Sequence, residues 1–260
     1  MHRQITFSCD RLPALRGISS KFASVLSDDQ CRFGLWMNDP FSLLWTQIAP
    51  GHGLRARKTA DIPTWSWAAW DEEVFWRCDL RQARYWATGH LFANTLSSAN
   101  NPDTPELKIE GPLVLLHPQR MNMLELHNGL TPNFGLIPRH RAHTATPRLF
   151  VVMDGQVWSM FDPDDDEEPV NKPLYFLPIA KARSDEHSYK QDHPVVYLAA
   201  GLILERQSSL GKGVYTRIGT GDFCSPADNF DKLFPLHQKE LSRDDYTAID
   251  DRGMCTITII

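Results

Sequence analysis

The 260-residue chain has no apolar run long enough to cross a bilayer as a helix. Its longest such stretch, Pro194–Leu204, covers eleven residues, against the ~20 that a membrane helix needs. The β-formers in that stretch point to a buried strand instead. The first thirty residues interrupt their apolar positions with Arg, Asp and Lys, so they lack the core of a secretory signal, and export is not expected. Cysteine is sparse. Cys9, Cys31, Cys78, Cys224 and Cys255 are odd in number and widely scattered, without a CxxC pair, which argues against a zinc knuckle or dithiol redox site. Reduced thiols in a cytoplasmic protein fit best. Basic charge is also short: 27 Lys and Arg against 32 Asp and Glu give a net charge of -5, and no basic cluster suits a phosphate backbone. There is no GxSxG, and Gly211-Lys212-Gly213 lacks the preceding glycine and following Ser or Thr of a phosphate-binding loop. Neither cofactor nor metal is expected, and neither nucleic acid nor a membrane is an expected partner.

What the chain has is tryptophan in one place. Of its eight, Trp65, Trp67, Trp70 and Trp76 fall within twelve residues, around Pro63-Thr64-Trp65-Ser66-Trp67-Ala68-Ala69-Trp70. Each indole needs a substantial surface to cover it and a partner for its N–H. The period is ambiguous: Trp65 and Trp67 share a face if the segment is extended, and Trp67 and Trp70 do if it is helical. Burial as a seam between earlier and later segments is the expectation. A stacking platform for a sugar or a base is the alternative.

Along the chain, Ser8 or Asp10 can cap a helix that tolerates Pro13 in its first turn. Leu15, Ile18, Phe22, Val25 and Leu26 then draw an apolar stripe to about residue 26. A second helix is expected over Phe41–Ile48, capped by Asn38 or Asp39 with Pro40 at its first position and stopped by Pro50-Gly51. Beyond Trp76 the pattern turns to short strands, expected near 83–94, 107–117, 149–153, 156–161, 174–181, 195–206, 214–220 and 255–260. Asp154-Gly155 should join 149–153 and 156–161 as a hairpin, and Leu210-Gly211-Lys212-Gly213 should do the same for 195–206 and 214–220. Phe230, Leu233, Phe234 and Leu236 suggest a short helix or turn before the last strand.

Three stretches carry candidate chemistry. The acidic run Asp164–Glu168 has the charge for calcium, but Glu167 stands where an EF-hand needs Gly and Pro173 where it needs Glu. A solvated loop is the expectation there. His140 and His143 lie three apart among Pro138, Thr144 and Pro147, with no third ligand nearby, and are read as loop side chains. Asp71-Glu72-Glu73, next to the tryptophans, supplies acids that a carbohydrate-active or other small-molecule hydrolase would use beside an aromatic platform.

Taken in order, Asp10-Arg11-Leu12-Pro13-Ala14-Leu15 with Gly17, Gly34-Leu35-Trp36, Leu43-Leu44-Trp45 and above all Pro63-Thr64-Trp65-Ser66-Trp67-Ala68 resemble the region that follows the defining domain in fungal heterokaryon incompatibility (HET) domain proteins. Leu174-Tyr175-Phe176-Leu177-Pro178, Gly201-Leu202-Ile203-Leu204 and Tyr215-Thr216-Arg217-Ile218-Gly219 resemble strands near the end of those proteins. The family more often has Ser where Thr64 and Ala69 stand, and the motifs of the HET domain itself are not in this sequence. That family is associated with allorecognition and programmed cell death, and the resemblance implies membership in it rather than retained activity. It carries no catalytic residue onto this chain.

The expectation is therefore an α+β, mostly β fold, with short N-terminal helices packed on an antiparallel β-barrel or sandwich. Residues 1–76 form the helical segment and Trp-rich seam, and 77–260 the β module, in one cooperative unit. In function it is expected to be a non-catalytic C-terminal portion of a HET-type protein, a regulatory or recognition module or a truncated remnant, whose partner is another protein of an incompatibility pathway. The hydrolase using Asp71, Glu72 or Glu73 is the alternative, and a ligand-binding barrel lined by 195–206 and 214–220 is a third.

Overall fold

The computed structural model describes residues 10–23, 25, 30–47, 61–70, 74–76, 90–96, 104–116, 118–120, 149–153, 156–163, 173–184, 196–225, 234 and 238–260. Among them, one α-helix precedes a set of strands. They are α1 (Arg11–Ala23), β1 (Cys31–Arg32), β2 (Leu35–Trp36), β3 (Trp45–Gln47), β4 (Val74–Trp76), β5 (His90–Leu91), β6 (Asn94–Leu96), β7 (Leu107–Gly111) and β8 (Val114–Leu116). β9 (Pro118–Arg120), β10 (Leu149–Met153), β11 (Gln156–Pro163), β12 (Leu174–Ser184), β13 (Val196–Arg206), β14 (Val214–Ser225), β15 (Ala248–Ile249) and β16 (Cys255–Ile259) follow. The mostly β, α+β class is as expected.

The main sheet runs β5-β12-β13-β14-β11-β10-β9, with antiparallel neighbours throughout. Both expected hairpins form: Met153 lies opposite Gln156 in the first, and Arg206 opposite Tyr215 in the second. The second turn uses Gly211 and Gly213 at positive φ of 125° and 62°, where a side chain would be strained. A further ladder joins the sheet through β16, which pairs parallel with β14 at Val214 and Tyr215 and antiparallel with β7 along its whole length.

Central strands β12 and β13 are covered on both faces. Tyr175, Leu177, Ile179, Ala200, Leu202 and Leu204 belong to one core cluster, while Leu174, Phe176, Ala199 and Ile203 belong to another with Phe234. That explains the near-continuous apolar sequence of 196–204, which a sheet with one wet face would not need. Gly201 is required here because a Cβ would come 2.3 Å from the Leu177 carbonyl oxygen on the neighbouring strand.

Four expectations need correction. The single strand expected at 107–117 is two, because Pro112 offers no N–H to a ladder: β7 pairs with β16, and β8 with β12. The helix at Phe41–Ile48 is a single 3-10 turn, Pro40–Leu43, begun as foreseen by Asp39, whose side chain accepts from the Phe41 N–H. It stops because the carbonyls of Leu43 and Trp45 accept instead from the Arg217 side chain, and 45–47 pair with 74–76 as β3 and β4. The described residues thus hold one helix rather than a pair, and their strands form no closed barrel. Finally, the first helix ends at Ala23 rather than near residue 26 and packs only in part, since Leu15 is half-buried while Ile18 and Phe22, and Val25 beyond the helix end, are exposed.

The expected strand over 83–94 is described only from residue 90, and the turn carried by Phe230, Leu233 and Leu236 lies outside the described residues.

Candidate functional site

Thr64 to Trp70 sits where the N-terminal segments meet the sheet. Ser66 caps a 3-10 turn, Trp67–Ala69, by accepting from the Ala68 N–H at 3.1 Å, and donates its hydroxyl to the Phe33 carbonyl at 2.7 Å. This resolves the ambiguous period: Trp65 precedes the turn and is a member of the main core cluster, while Trp67 begins the turn and packs both against that cluster and against the one of Trp45 and Trp70. Pro63, Trp65, Ser66 and Ala68 are buried and Trp67 is half-buried.

Trp65 is fully buried, with its indole N–H on the Pro105 carbonyl at 2.8 Å and Phe33 edge-on at 5.4 Å. The Trp65 carbonyl takes the Trp45 indole N–H at 3.0 Å, and Trp67 donates to the Gly34 carbonyl at 3.1 Å. Trp70 is also buried, but its indole N–H has no hydrogen-bond partner among the described residues. Its backbone carbonyl receives Arg11 of α1.

Two buried arginines brace the seam. Arg32 donates to the carbonyls of Thr104 at 2.6 Å and Glu106 at 3.0 Å, tying the β1–β2 hairpin to the start of β7. Arg217, on β14, places its guanidinium carbon 3.3 Å from the centroid of the Trp45 ring and donates to the carbonyls of Leu43 (3.2 Å) and Trp45. Its backbone N–H donates to the Thr64 hydroxyl oxygen at 3.0 Å, and that hydroxyl donates in turn to the Ile260 carbonyl. Neighbouring protein groups therefore occupy the ring face of Trp45 and the N–H groups of Trp45 and Trp65. A stacking platform would need those faces open.

A second polar cluster lies near the β13–β14 turn. The buried Asp245 carboxylate accepts from the Tyr175 hydroxyl (2.9 Å), Arg206 (3.0 Å), and the N–H and hydroxyl of Ser242 (2.7 and 2.9 Å). The Tyr215 hydroxyl donates to the Asp245 carbonyl at 2.7 Å, and the two tyrosine rings meet edge-on at 5.1 Å. Burial first, then the bond to Asp245, pushes the Tyr175 hydroxyl up to about 12. Burial and the neighbouring Tyr175 raise Tyr215 as well. Burial likewise raises the Cys255 thiol to about 11, so it stays protonated near neutrality and is a poor nucleophile. Every oxygen of Asp245 is engaged, so the cluster works as a bolt holding 242–247 against the sheet.

One shallow groove of about 230 Å³ runs between α1 and the β1–β2 hairpin, lined by Leu12, Leu15, Arg16, Ser19 and Cys31 among others. Among the described residues no three acidic, His or Cys side chains gather to hold a metal. Asp71, Glu72 and Glu73 lie outside the described residues, as do His140, His143 and the run 164–168. The facing positions on β13 and β14 that would line a ligand barrel, Leu202, Leu204 and Tyr215, are packed into the core. No helix among the described residues is long and apolar enough to cross a membrane.

Sequence reasoning found the tryptophans but missed both arginines and Asp245. A signal existed for Arg217: alternation along β14 puts it on the face of buried Tyr215. Asp245 left none, since its donors are 3, 30, 39 and 70 residues away.

The chain matches no protein-family profile, no curated protein and no solved structure.

Proposed function

We propose that the chain is the non-catalytic part of a HET-type incompatibility protein that follows the defining domain, acting as a recognition or regulatory module toward another protein of that pathway. One observation carries the reading: the separate segments behind the resemblance meet at a single place. Trp67 bonds Gly34, Trp45 bonds Trp65, and Arg217 bonds Thr64, Leu43 and Trp45. Arg11, from the first segment, reaches the Trp70 carbonyl beside them. Leu174–Pro178 and 201–204 pair with one another, Tyr175 opposite Leu204 and Pro178 opposite Gly201. Residues that recur together in a family for structural reasons are expected to touch, and these do. The motif's chemistry is then burial and bracing, which suits a scaffold that presents surfaces.

In finer architecture, we read the successive strands β7 and β8, one in each of two ladders, as wrapping the sheet into an open antiparallel barrel or sandwich.

Expression of the chain in a filamentous fungal host tests the functional reading. It should leave growth and viability unchanged. Reproducible cell death caused by this chain alone would overturn it.

A further inference from the structure

No side chain of α1 from Arg11 to Phe22 is buried: Arg11, Leu12, Leu15 and Ser19 are half-buried and the others are exposed. Leu12, Leu15 and Ser19 do not close on the β1–β2 hairpin. They line one wall of the groove of about 230 Å³ whose other wall includes Cys31, Phe33 and Gly34, and a gap of that size forfeits the dispersion that close packing would supply. The helix then rests largely on its own propensity, which is low. Thirteen residues are at the margin for an isolated helix in water, and Gly17 stands at the centre. The hydroxyls of Ser19 and Ser20 turn back onto the carbonyls of Arg16 (3.2 Å) and Gly17 (3.1 Å), bonds that slightly weaken a helix. A bond from the Arg11 side chain to the Trp70 carbonyl ties its first turn to the seam.

The surface beneath is fixed by other elements. Ser66 and Trp67 donate to the carbonyls of Phe33 and Gly34, Phe33 meets the Trp65 ring edge-on, and Arg32 is anchored on Thr104 and Glu106. None of these contacts passes through α1. We propose that α1 is a detachable cover: it leaves the hairpin and unfolds as one unit while β1, β2 and the tryptophan seam stay folded, and its departure opens the Cys31–Gly34 wall of the groove to solvent. The Arg11–Trp70 bond is its latch. Such an opening lies below the cooperative unfolding of seam and sheet in free energy. The proposal does not depend on the family reading.

Hydrogen exchange on the full chain, with peptide-resolved alkylation of Cys31 as the reporter of the opened wall, tests this. Amides of residues 15–23 should exchange roughly a hundredfold or more faster than those of β13 and β14. Gly17→Ala adds a Cβ that meets nothing within 4 Å, so it stabilises the helix without touching the hairpin. It should slow both exchange in α1 and alkylation of Cys31 by about four- to fivefold. Arg11→Ala should speed both. Neither variant should change the protection of β13 and β14. Protection of α1 equal to that of β13 and β14 would overturn the proposal. So would a Gly17→Ala variant that slows exchange in α1 but leaves Cys31 alkylation unmoved, or an Arg11→Ala variant that loosens β13 and β14 as much as α1.

Discussion

Arg217 lies 3.3 Å over the ring of Trp45 and donates to the carbonyl of that same residue, so one cation fixes both the side chain and the backbone of β3. A desolvated cation over an indole contributes about 2 kcal/mol, and each buried carbonyl left without a donor costs roughly 1–3 kcal/mol. Arg217→Lys keeps the charge but cannot lie flat on the ring and fork to two carbonyls. It should lower stability by about 1–3 kcal/mol in chemical denaturation, and Arg217→Ala by more. A lysine variant as stable as the parent would show that the charge, and not the planar fork, is what matters.

Trp65→Ala should cost about 3–5 kcal/mol, as large-to-small changes in a packed core do. Trp65→Phe isolates the indole N–H, because it leaves the Pro105 carbonyl without its donor. Trp70→Phe removes an N–H that has no partner among the described residues, so it should cost less than Trp65→Phe despite the same loss of volume. Equal costs at the two positions would mean that the Trp65–Pro105 bond contributes nothing.

Gly34 and Trp67 form a second coupled pair. Gly34 has φ of 83°, and a Cβ there would sit 2.9 Å from the Trp67 indole nitrogen. Gly34→Ala should therefore cost about 1–3 kcal/mol, part from the left-handed backbone and part from the clash. Repeating Gly34→Ala in a Trp67→Ala background should remove the clash and leave the backbone cost. A double-mutant cycle with no coupling would place the indole away from Gly34.

Much of the β part was legible because alternation, turn dipeptides and apolar runs are local signals: Gln156–Phe161, Leu174–Lys181 and Val214–Thr220 all lie within strands. The failures came where a distant partner decided the outcome. Phe41 to Ile48 has helical spacing and a helical cap, yet a side chain more than 170 residues away claims the carbonyls of Leu43 and Trp45. The first helix forms where Leu15, Ile18 and Phe22 recur at helical spacing, but periodicity alone does not say that Ile18 and Phe22 stay exposed. The seam was visible as aromatic mass, while its bracing by Arg32 and Arg217 runs against the ordinary exposure of arginine.

Alkaline pH should weaken the bolt around Asp245. Tyr175 has its hydroxyl raised from an unfolded value near 10 to about 12, and Tyr215 is raised too. Between those values the folded state holds protons that the unfolded state has released. The stability they contribute is thus full below about pH 10 and is lost as pH rises toward 12. Tyrosinate absorbance should lag behind that of the unfolded chain across the same window. Asp245→Asn removes the negative charge facing Tyr175 and should shift its titration downward while burial keeps it above 10. It should also cost about 1–3 kcal/mol near neutral pH, by weakening the bonds from Tyr175 and Ser242 and leaving Arg206 with only the more distant Asp244 carboxylate at 3.9 Å. A Tyr175 titration unmoved in that variant would make burial the sole cause.

The last strand joins what the sequence divides at residue 76. Ile260 accepts at its carbonyl from the Thr64 N–H (3.2 Å) and hydroxyl, and donates its own N–H to the Tyr215 carbonyl at 2.9 Å. β16 also holds β7 and β14 together. Further contacts cross the same division, from Trp65 to Pro105, from Arg32 to Glu106 and from Arg217 to Leu43. If these act together, 1–76 and 77–260 unfold as one, and deleting 255–260 should abolish the cooperative transition rather than lower its midpoint slightly. Limited proteolysis gives the sharper test. Cleavage near residue 77 should be followed by rapid digestion of both sides, because each loses the groups that satisfy its buried donors and acceptors. A stable 80–260 fragment accompanied by a soluble, cooperatively folding 1–76 fragment would show instead that the seam is an interface between two independent folds.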